Sequence, residues 1–216
     1  MTLFHKSKRM KLPDIHTHNT DADREYSILN SNGHIADRRI SMGIHPWEIT
    51  VDWQEKFHTI EQYAGEENVC AIGECGIDKL KSPASIETQL TVFKAHAMLA
   101  EKMKKPLIIH CVKGLHELIA LHKEIAPQQA WIIHGFRGKP QQAEQLVKEG
   151  FHISYGEKFN IDSVKATPME RMFVESDESR AGIEDIYNSI AMAKECSVEE
   201  LVSAMRHNTQ KCNIMP

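Results

Sequence analysis

Residues 106–135 read PLIIHCVKGLHELIALHKEIAPQQAWIIHG. One apolar run, Leu107-Ile108-Ile109, ends on His110, and a second, Trp131-Ile132-Ile133, ends on His134. Between them Leu115, Leu118, Ile119 and His122 recur at the spacing of one helix face. Strand, amphipathic helix and strand make the unit of a parallel sheet, whose strands are buried on both faces and so read as unbroken apolar runs.

The same alternation extends in both directions. Eight candidate strands fall at 12–17, 26–31, 39–45, 69–74, 106–111, 131–135, 151–155 and 171–176. Ile86, Leu90, Phe93, Ala97 and Ala100 mark another helical stripe. Ser197-x-x-Glu200 is a capping box that opens a last helix, and Gly150 stops the helix carrying Ala143, Leu146 and Val147. This pattern predicts an α/β fold, a trimmed (β/α)8 TIM-like barrel with parallel strands, as a single domain over 1–216. At 216 residues the chain is shorter than the roughly 250 typical of such barrels. The connections after strands one, two and seven leave little room for crossover helices, and an open doubly wound sheet is the structural alternative.

Composition removes several classes of function. Hydrophobic residues at 41% and charged residues at 26% are globular proportions. The longest uncharged apolar stretch, Ile125 to Phe136, contains Pro127, Gln128 and Gln129 and is too short and polar for a membrane span. Met1 to Lys11 is basic but lacks the apolar core of a signal peptide, so the expected location is cytoplasmic. Five cysteines without a C-x-x-C pair read as reduced thiols. A net charge of −4 does not suit a protein that coats duplex nucleic acid. There is no G-x-S-x-G elbow and no phosphate-binding G-x-x-x-x-G-K-[ST] loop.

Chemistry enters where the strands end, and histidine is abundant at 13 residues. Six of the eight candidate strands finish in a histidine or carboxylate: Asp14-Ile15-His16-Thr17-His18, Gly43-Ile44-His45, Gly73-Glu74, Ile109-His110, Ile133-His134 and Ser176-Asp177. In a parallel barrel these ends gather at one mouth, where active sites lie. His16 and His18, two apart on a strand, project to one face. As structural residues these groups would be hydrogen-bonded core histidines and ion pairs. As a set, imidazoles and carboxylates without thiolate suit a hard to borderline divalent ion. Four histidines and two carboxylates exceed what one tetrahedral zinc needs, so two ions, Zn, Mg or Mn, are expected. Glu74 would bridge them, with His16 and His18 on one, His110 and His134 on the other, and Asp177 beside a shared water.

Taken in order, H-x-H (His16, His18), G-I-H-P-W (His45), A-I-G-E-x-G-I-D (Glu74 to Asp78), P-L-I-I-H-C (His110), H-G-F-x-G (His134) and E-S-D (Asp177) resemble the TatD-type metal-dependent deoxyribonucleases of the amidohydrolase superfamily. Gln89 with Phe93 and the later Asn208 are similar to further motifs of that family. The resemblance spans Asp14 to about Asn213. It implies a TIM-like barrel, a divalent metal pair and phosphodiester hydrolysis. It further implies His16, His18, Glu74, His110, His134 and Asp177 as ligands, with Glu74, Asp177 and His45 catalytic and His45 touching substrate or phosphate. The chain departs from the family at Lys79-Leu80-Lys81-Ser82-Pro83, at Ser179 in place of proline, and at Val112-Lys113 in place of arginine. These departures fall in loops that shape a substrate pocket.

Lys79, Lys81, Lys113, Arg137, Lys139 and Lys158 lie just beyond strand ends and form a basic rim for an anionic substrate. His45, Lys79, Lys113 and Arg137 are the expected substrate contacts. The expected partner is a phosphate-containing substrate such as single-stranded DNA, with no obligate protein partner evident. Trp47 and Phe136 read as caps on the core. Two other functions fit the same residues: an amide, ester or lactone hydrolase, and a metal-retaining scaffold without turnover.

Overall fold

The computed structural model describes residues 10–31, 33, 35 and 37–215. The basic segment 1–11, expected not to be a leader, lies outside the described residues except for Met10 and Lys11. Eight strands follow in chain order: β1 (Asp14–Thr17), β2 (Ser27–Asn30), β3 (Ile40–Met42), β4 (Val69–Asp78), β5 (Leu107–Val112), β6 (Trp131–Ile133), β7 (His152–Tyr155) and β8 (Met172–Val174). Each pairs in parallel with the next, and the order runs from first to eighth without reversal. A doubly wound sheet reverses its order at a switch point. Here Thr17 forms a parallel bridge with Asp177, so the end of the last strand returns to the first and the sheet closes as a (β/α)8 TIM-type barrel.

The seam between β1 and β8 is made by few bonds. The Asp177 amide donates to the His16 carbonyl at 2.9 Å, and the His18 amide donates to the Asp177 carbonyl at 3.0 Å. The Asp14 carboxylate accepts from the Ser176 amide at 2.9 Å and the Ser176 hydroxyl at 2.6 Å. Burial pushes the Asp14 carboxyl up to about 7, with the Ser176 hydrogen bonds pulling the other way.

Helices α1 (Trp53–Tyr63), α2 (Ile86–Met103), α3 (Leu115–Ile125), α4 (Pro140–Lys148), α5 (Ile161–Ala166), α6 (Ile183–Lys194) and α7 (Val198–Lys211) complete the fold. Among the described residues no helix follows β1 or β2, and only the six-residue α5 and a single 3-10 turn (Met169–Arg171) follow β7, which is where the chain is trimmed. The capping box of Ser197 and Glu200 forms at the start of α7, and Gly150 follows α4 at a φ of +97°. On α2 the buried stripe differs from its sequence reading: Ile86 is exposed, while the polar Gln89 and His96 are buried. Their hydrogen bonds explain the exchange. Gln89 Oε1 accepts from the Asp78 amide at 2.8 Å, and His96 Nε2 accepts from the Ile44 amide at 3.0 Å, so α2 pegs the ends of β3 and β4.

Strand β4 was expected to end at 74 and instead continues to Asp78. Gly76 permits this: at its φ of +153° a β-carbon would fall on the His110 carbonyl oxygen. Without a side chain there, β4 stays paired with β5 from Cys75 to Asp78 and carries two carboxylates into the mouth.

Candidate metal centre

Glu74 is the hub of the mouth. Its Oε1 lies 2.7 Å from Nε2 of His134, 2.9 Å from Nδ1 of His110 and 3.2 Å from Nε2 of His45. Its Oε2 lies 3.3 Å from Nε2 of His16 and 3.7 Å from Nε2 of His18. Asp177 Oδ1 sits 3.9 Å from His16 and 3.7 Å from His18. One buried carboxylate thus divides five imidazoles between its two oxygens, and a second carboxylate flanks one side. Three triplets have ligand atoms within 4.8 Å of one another: His16, His134 and Asp177; His16, His18 and Glu74; His45, Glu74 and His110. The six residues expected as ligands converge. His45, expected to meet substrate, stands within the same cluster, and His134 lies near His16 as well as His110, with ring centroids 4.5 and 5.7 Å apart.

The cluster fits divalent ions. His16 is fully buried; its Nδ1 has no hydrogen-bond partner, and its Nε2 approaches the Glu74 and Asp177 carboxylates at 3.3 and 3.9 Å without hydrogen-bond geometry. A buried imidazole whose nitrogens make no well-formed hydrogen bond is costly, and an ion between His16 and Glu74 would relieve it. The donors are imidazole nitrogens and carboxylate oxygens, the set preferred by Zn and Mn, with Mg at the oxygen-rich side.

A further ring of residues orients the donors. Glu175 Oε1 lies 3.2 Å from Nδ1 of His134 and accepts from the Gly135 amide at 2.7 Å. Asp78 Oδ2 lies 3.2 Å from Nε2 of His110, and its Oδ1 accepts from the Leu80 and Lys81 amides at 2.8 and 3.0 Å. Asn30 Oδ1 accepts from the Glu74 amide at 3.1 Å, and Asn30 Nδ2 reaches Oε2 of Glu74 at 3.4 Å. Pairing of a ligating histidine's outer nitrogen with a carboxylate is common in metal sites. The sequence reading missed Glu175 and Asn30. Asn30 ends β2, beside the strand of His16, and Glu175 directly follows β8 two residues before Asp177; no signal in the sequence set either apart from a packing residue.

Charge is distributed accordingly. Burial alone would raise the Glu74 carboxyl, but the His134 charge and hydrogen bonds from His110 and His134 hold it well below its usual value. Burial alone would lower His134, but the Glu74 and Glu175 carboxylates hold it well above its usual value. For Glu175 the opposing effect of burial is likewise outweighed by His134, and its carboxyl is lowered.

Two grooves leave the cluster. The larger, about 490 Å³, passes Trp47, Lys81, Lys113, Phe136 and Arg137. The other runs along the β6 to β8 side past Arg137, Lys158 and Arg180. His45 lines the cleft between them, over the cluster. Lys79 reaches instead to Glu117 of α3 at 2.5 Å, because the first turn of α3 abuts the end of β4; of the four expected substrate contacts, His45, Lys113 and Arg137 face the open mouth. Trp47 also departs from its reading. Phe136 is buried at 8% exposure and caps the core, whereas Trp47 is 46% exposed.

Among the described residues no helix is long and apolar enough to cross a membrane. The model of one protein family, described as TatD related DNase, matches residues 3–213. An uncharacterized metal-dependent hydrolase of Buchnera aphidicola subsp. Baizongia pistaciae is 27% identical over 183 residues, spanning 81% of this chain and 69% of the relative. A protein of Erwinia amylovora named 3'-5' ssDNA/RNA exonuclease TatD is 28% identical over 145 residues, or 62% of this chain and 56% of that one. The crystal structure of YjjV, a TatD homologue from Escherichia coli, superposes with a TM-score of 0.77 at 18% identity, covering 89% of this chain and 87% of its own; that likeness is one of fold.

Proposed function

The chain belongs to the TatD related DNase family and is a metal-dependent hydrolase, and from that premise we propose that it hydrolyses phosphodiester bonds in a nucleic acid strand, acting as a single barrel domain. The observation that carries the reading is the division of the Glu74 carboxylate between two sets of imidazoles at the head of a groove lined by Lys81, Lys113 and Arg137. Lys81, Lys113 and Arg137, set among Asp78, Asp177 and Glu178 in the same lining, offer a phosphate chain counter-charges that a neutral amide or lactone would not use.

His16, His18, Glu74, His110, His134 and Asp177 would hold two divalent ions, Zn, Mg or Mn. When bound, these would supply Lewis-acid polarisation of the phosphate and acidification of the attacking water. The chain's own residues do the rest. Glu74 keeps the imidazoles in register, and its low pKa keeps the carboxylate ionised throughout the physiological range. Asp177, partly exposed above the cluster, takes the proton of the attacking water on a carboxylate oxygen. His45 contacts a phosphate oxygen from the central cleft, while Lys113 and Arg137 neutralise the flanking phosphates.

Purified protein supplied with Mn, Mg or Zn should shorten single-stranded DNA or RNA, lose that activity in chelator, regain it on metal readdition and lack it in Glu74→Ala. Activity that survives both chelator and Glu74→Ala would overturn the reading. So would turnover of amide, ester or lactone substrates with nucleic acid untouched.

A further inference from the structure

The larger groove contains an aromatic surface that metal chemistry does not use. Of the aromatic side chains lining the mouth, Phe136 is buried and Trp47 is exposed. The indole is not loose. Its Nε1 donates to Asp78 Oδ2 at 2.7 Å, and its ring lies edge-on to His45 and His110, with centroids 4.6 and 5.8 Å away. Trp47 is therefore held beside the cluster while about half exposed at the groove.

One group covers the indole face. Lys81 Nζ lies 4.5 Å from the ring centroid, on an exposed side chain whose amide is anchored by the same Asp78 carboxylate that pins the indole. An exposed cation–π contact is weaker than stacking of a nucleobase on indole, so an incoming base displaces the ammonium. The displaced Lys81 ammonium is then free to pair with a phosphate of the bound strand. Lys113 and Arg137 continue the positive charge further along the groove.

We infer that Trp47 is a stacking platform for an unpaired nucleobase next to the scissile phosphate. The platform adds a contact to the base itself, which a small phosphodiester without a base cannot make. Paired bases cannot use the platform, because their faces are already stacked within the duplex. The inference rests on the proposed phosphodiesterase reading and adds to it a reason for strand selection.

The test uses the metal-loaded full chain and a phosphorothioate-linked oligothymidylate that resists turnover. Binding is read by fluorescence anisotropy of the labelled strand, and contact with the indole by quenching of protein emission. Of the three tryptophans, Trp131 is buried in the core and Trp53 partly so, leaving Trp47 as the exposed emitter. Quenching should accompany binding and vanish in Trp47→Leu, with Kd raised about tenfold. Trp47→Phe should retain most of the affinity, since it keeps an aromatic face. A strand with one abasic position at the platform should bind the parent protein about tenfold more weakly and should bind Trp47→Leu with no additional loss. Equal binding by the parent and Trp47→Leu, with hydrolysis intact, would overturn the platform and leave the phosphodiesterase reading standing. Absence of both binding and hydrolysis of every strand would overturn the two together.

Discussion

Glu175 and Glu74 hold opposite nitrogens of the His134 ring, at 3.2 Å on Nδ1 and 2.7 Å on Nε2. Glu175 fixes which nitrogen faces the cluster, and its own position is set by the Gly135 amide. A neutral amide at 175 would occupy the same space but would pair less strongly with the ring. Glu175→Gln should lower divalent metal affinity about 10- to 100-fold with the fold retained, as read by competition against a chromophoric chelator. Unchanged affinity would remove Glu175 from the metal centre.

Metal loading should stabilise the protein. Ions at 100 times their Kd contribute about 2.7 kcal/mol, which for a chain of this size raises Tm by about 5–10 °C. Differential scanning calorimetry with and without chelator measures this, and Glu74→Ala should abolish the shift. A Tm indifferent to Zn, Mn and Mg would contradict a metal cage at the mouth.

Acid should destabilise the fold through His96. Its Nε2 accepts from the Ile44 amide and its Nδ1 donates to the Val92 carbonyl at 2.8 Å, so the buried ring has no room for a second proton. Burial lowers its pKa to about 4, from an unfolded value of about 6.5. The unfolded chain therefore binds the proton first, and the neutral form's contribution is complete above about pH 6.5 and fades as pH falls toward 4. Over that interval the parent should lose up to about 3 kcal/mol relative to His96→Gln in urea unfolding curves. Parallel pH profiles for the two proteins would refute the assignment.

Gly76→Ala should be severely destabilising although it adds one methyl group. The new β-carbon falls on the His110 carbonyl, and the backbone there is at a φ of +153°. A loss of about 2–4 kcal/mol is expected in the urea midpoint, together with weaker metal binding, because β4 and β5 carry Glu74 and His110. A variant as stable as the parent would show that β4 tolerates a shift away from β5.

The strands were legible because each is a short apolar run stopped by a polar or flexible residue, and the barrel followed from their number and parallel pattern. The convergence of His16, His18, Glu74, His110, His134 and Asp177 was legible for the same reason, since a parallel barrel brings all its strand ends to one rim. What stayed hidden depends on side-chain direction. Glu175 is buried two residues before Asp177, and nothing in Glu-Ser-Asp says that the first acid turns toward a ring on the neighbouring side of the barrel. Trp47 follows an apolar segment and reads as core until Asp78 is seen to hold its nitrogen. Gly76 lies past the expected end of its strand at 74, yet it lets that strand continue to Asp78. Lys79 reads as rim until the start of α3 supplies Glu117.

The closure of the barrel has a mechanical corollary. Residues 16, 18 and 177 stitch the first strand to the last and also stand among the side chains that could hold an ion, so the seam of the ring and the candidate metal centre share residues. An ion seated among these side chains would act as a clasp across the seam, added to the backbone bonds of His16, His18 and Asp177 and to the Asp14–Ser176 pair that already join the two ends of the sheet. Amide hydrogens of β1 and β8 should therefore exchange fastest when the clasp is open, while those of β4 and β5, opposite the seam, should stay protected.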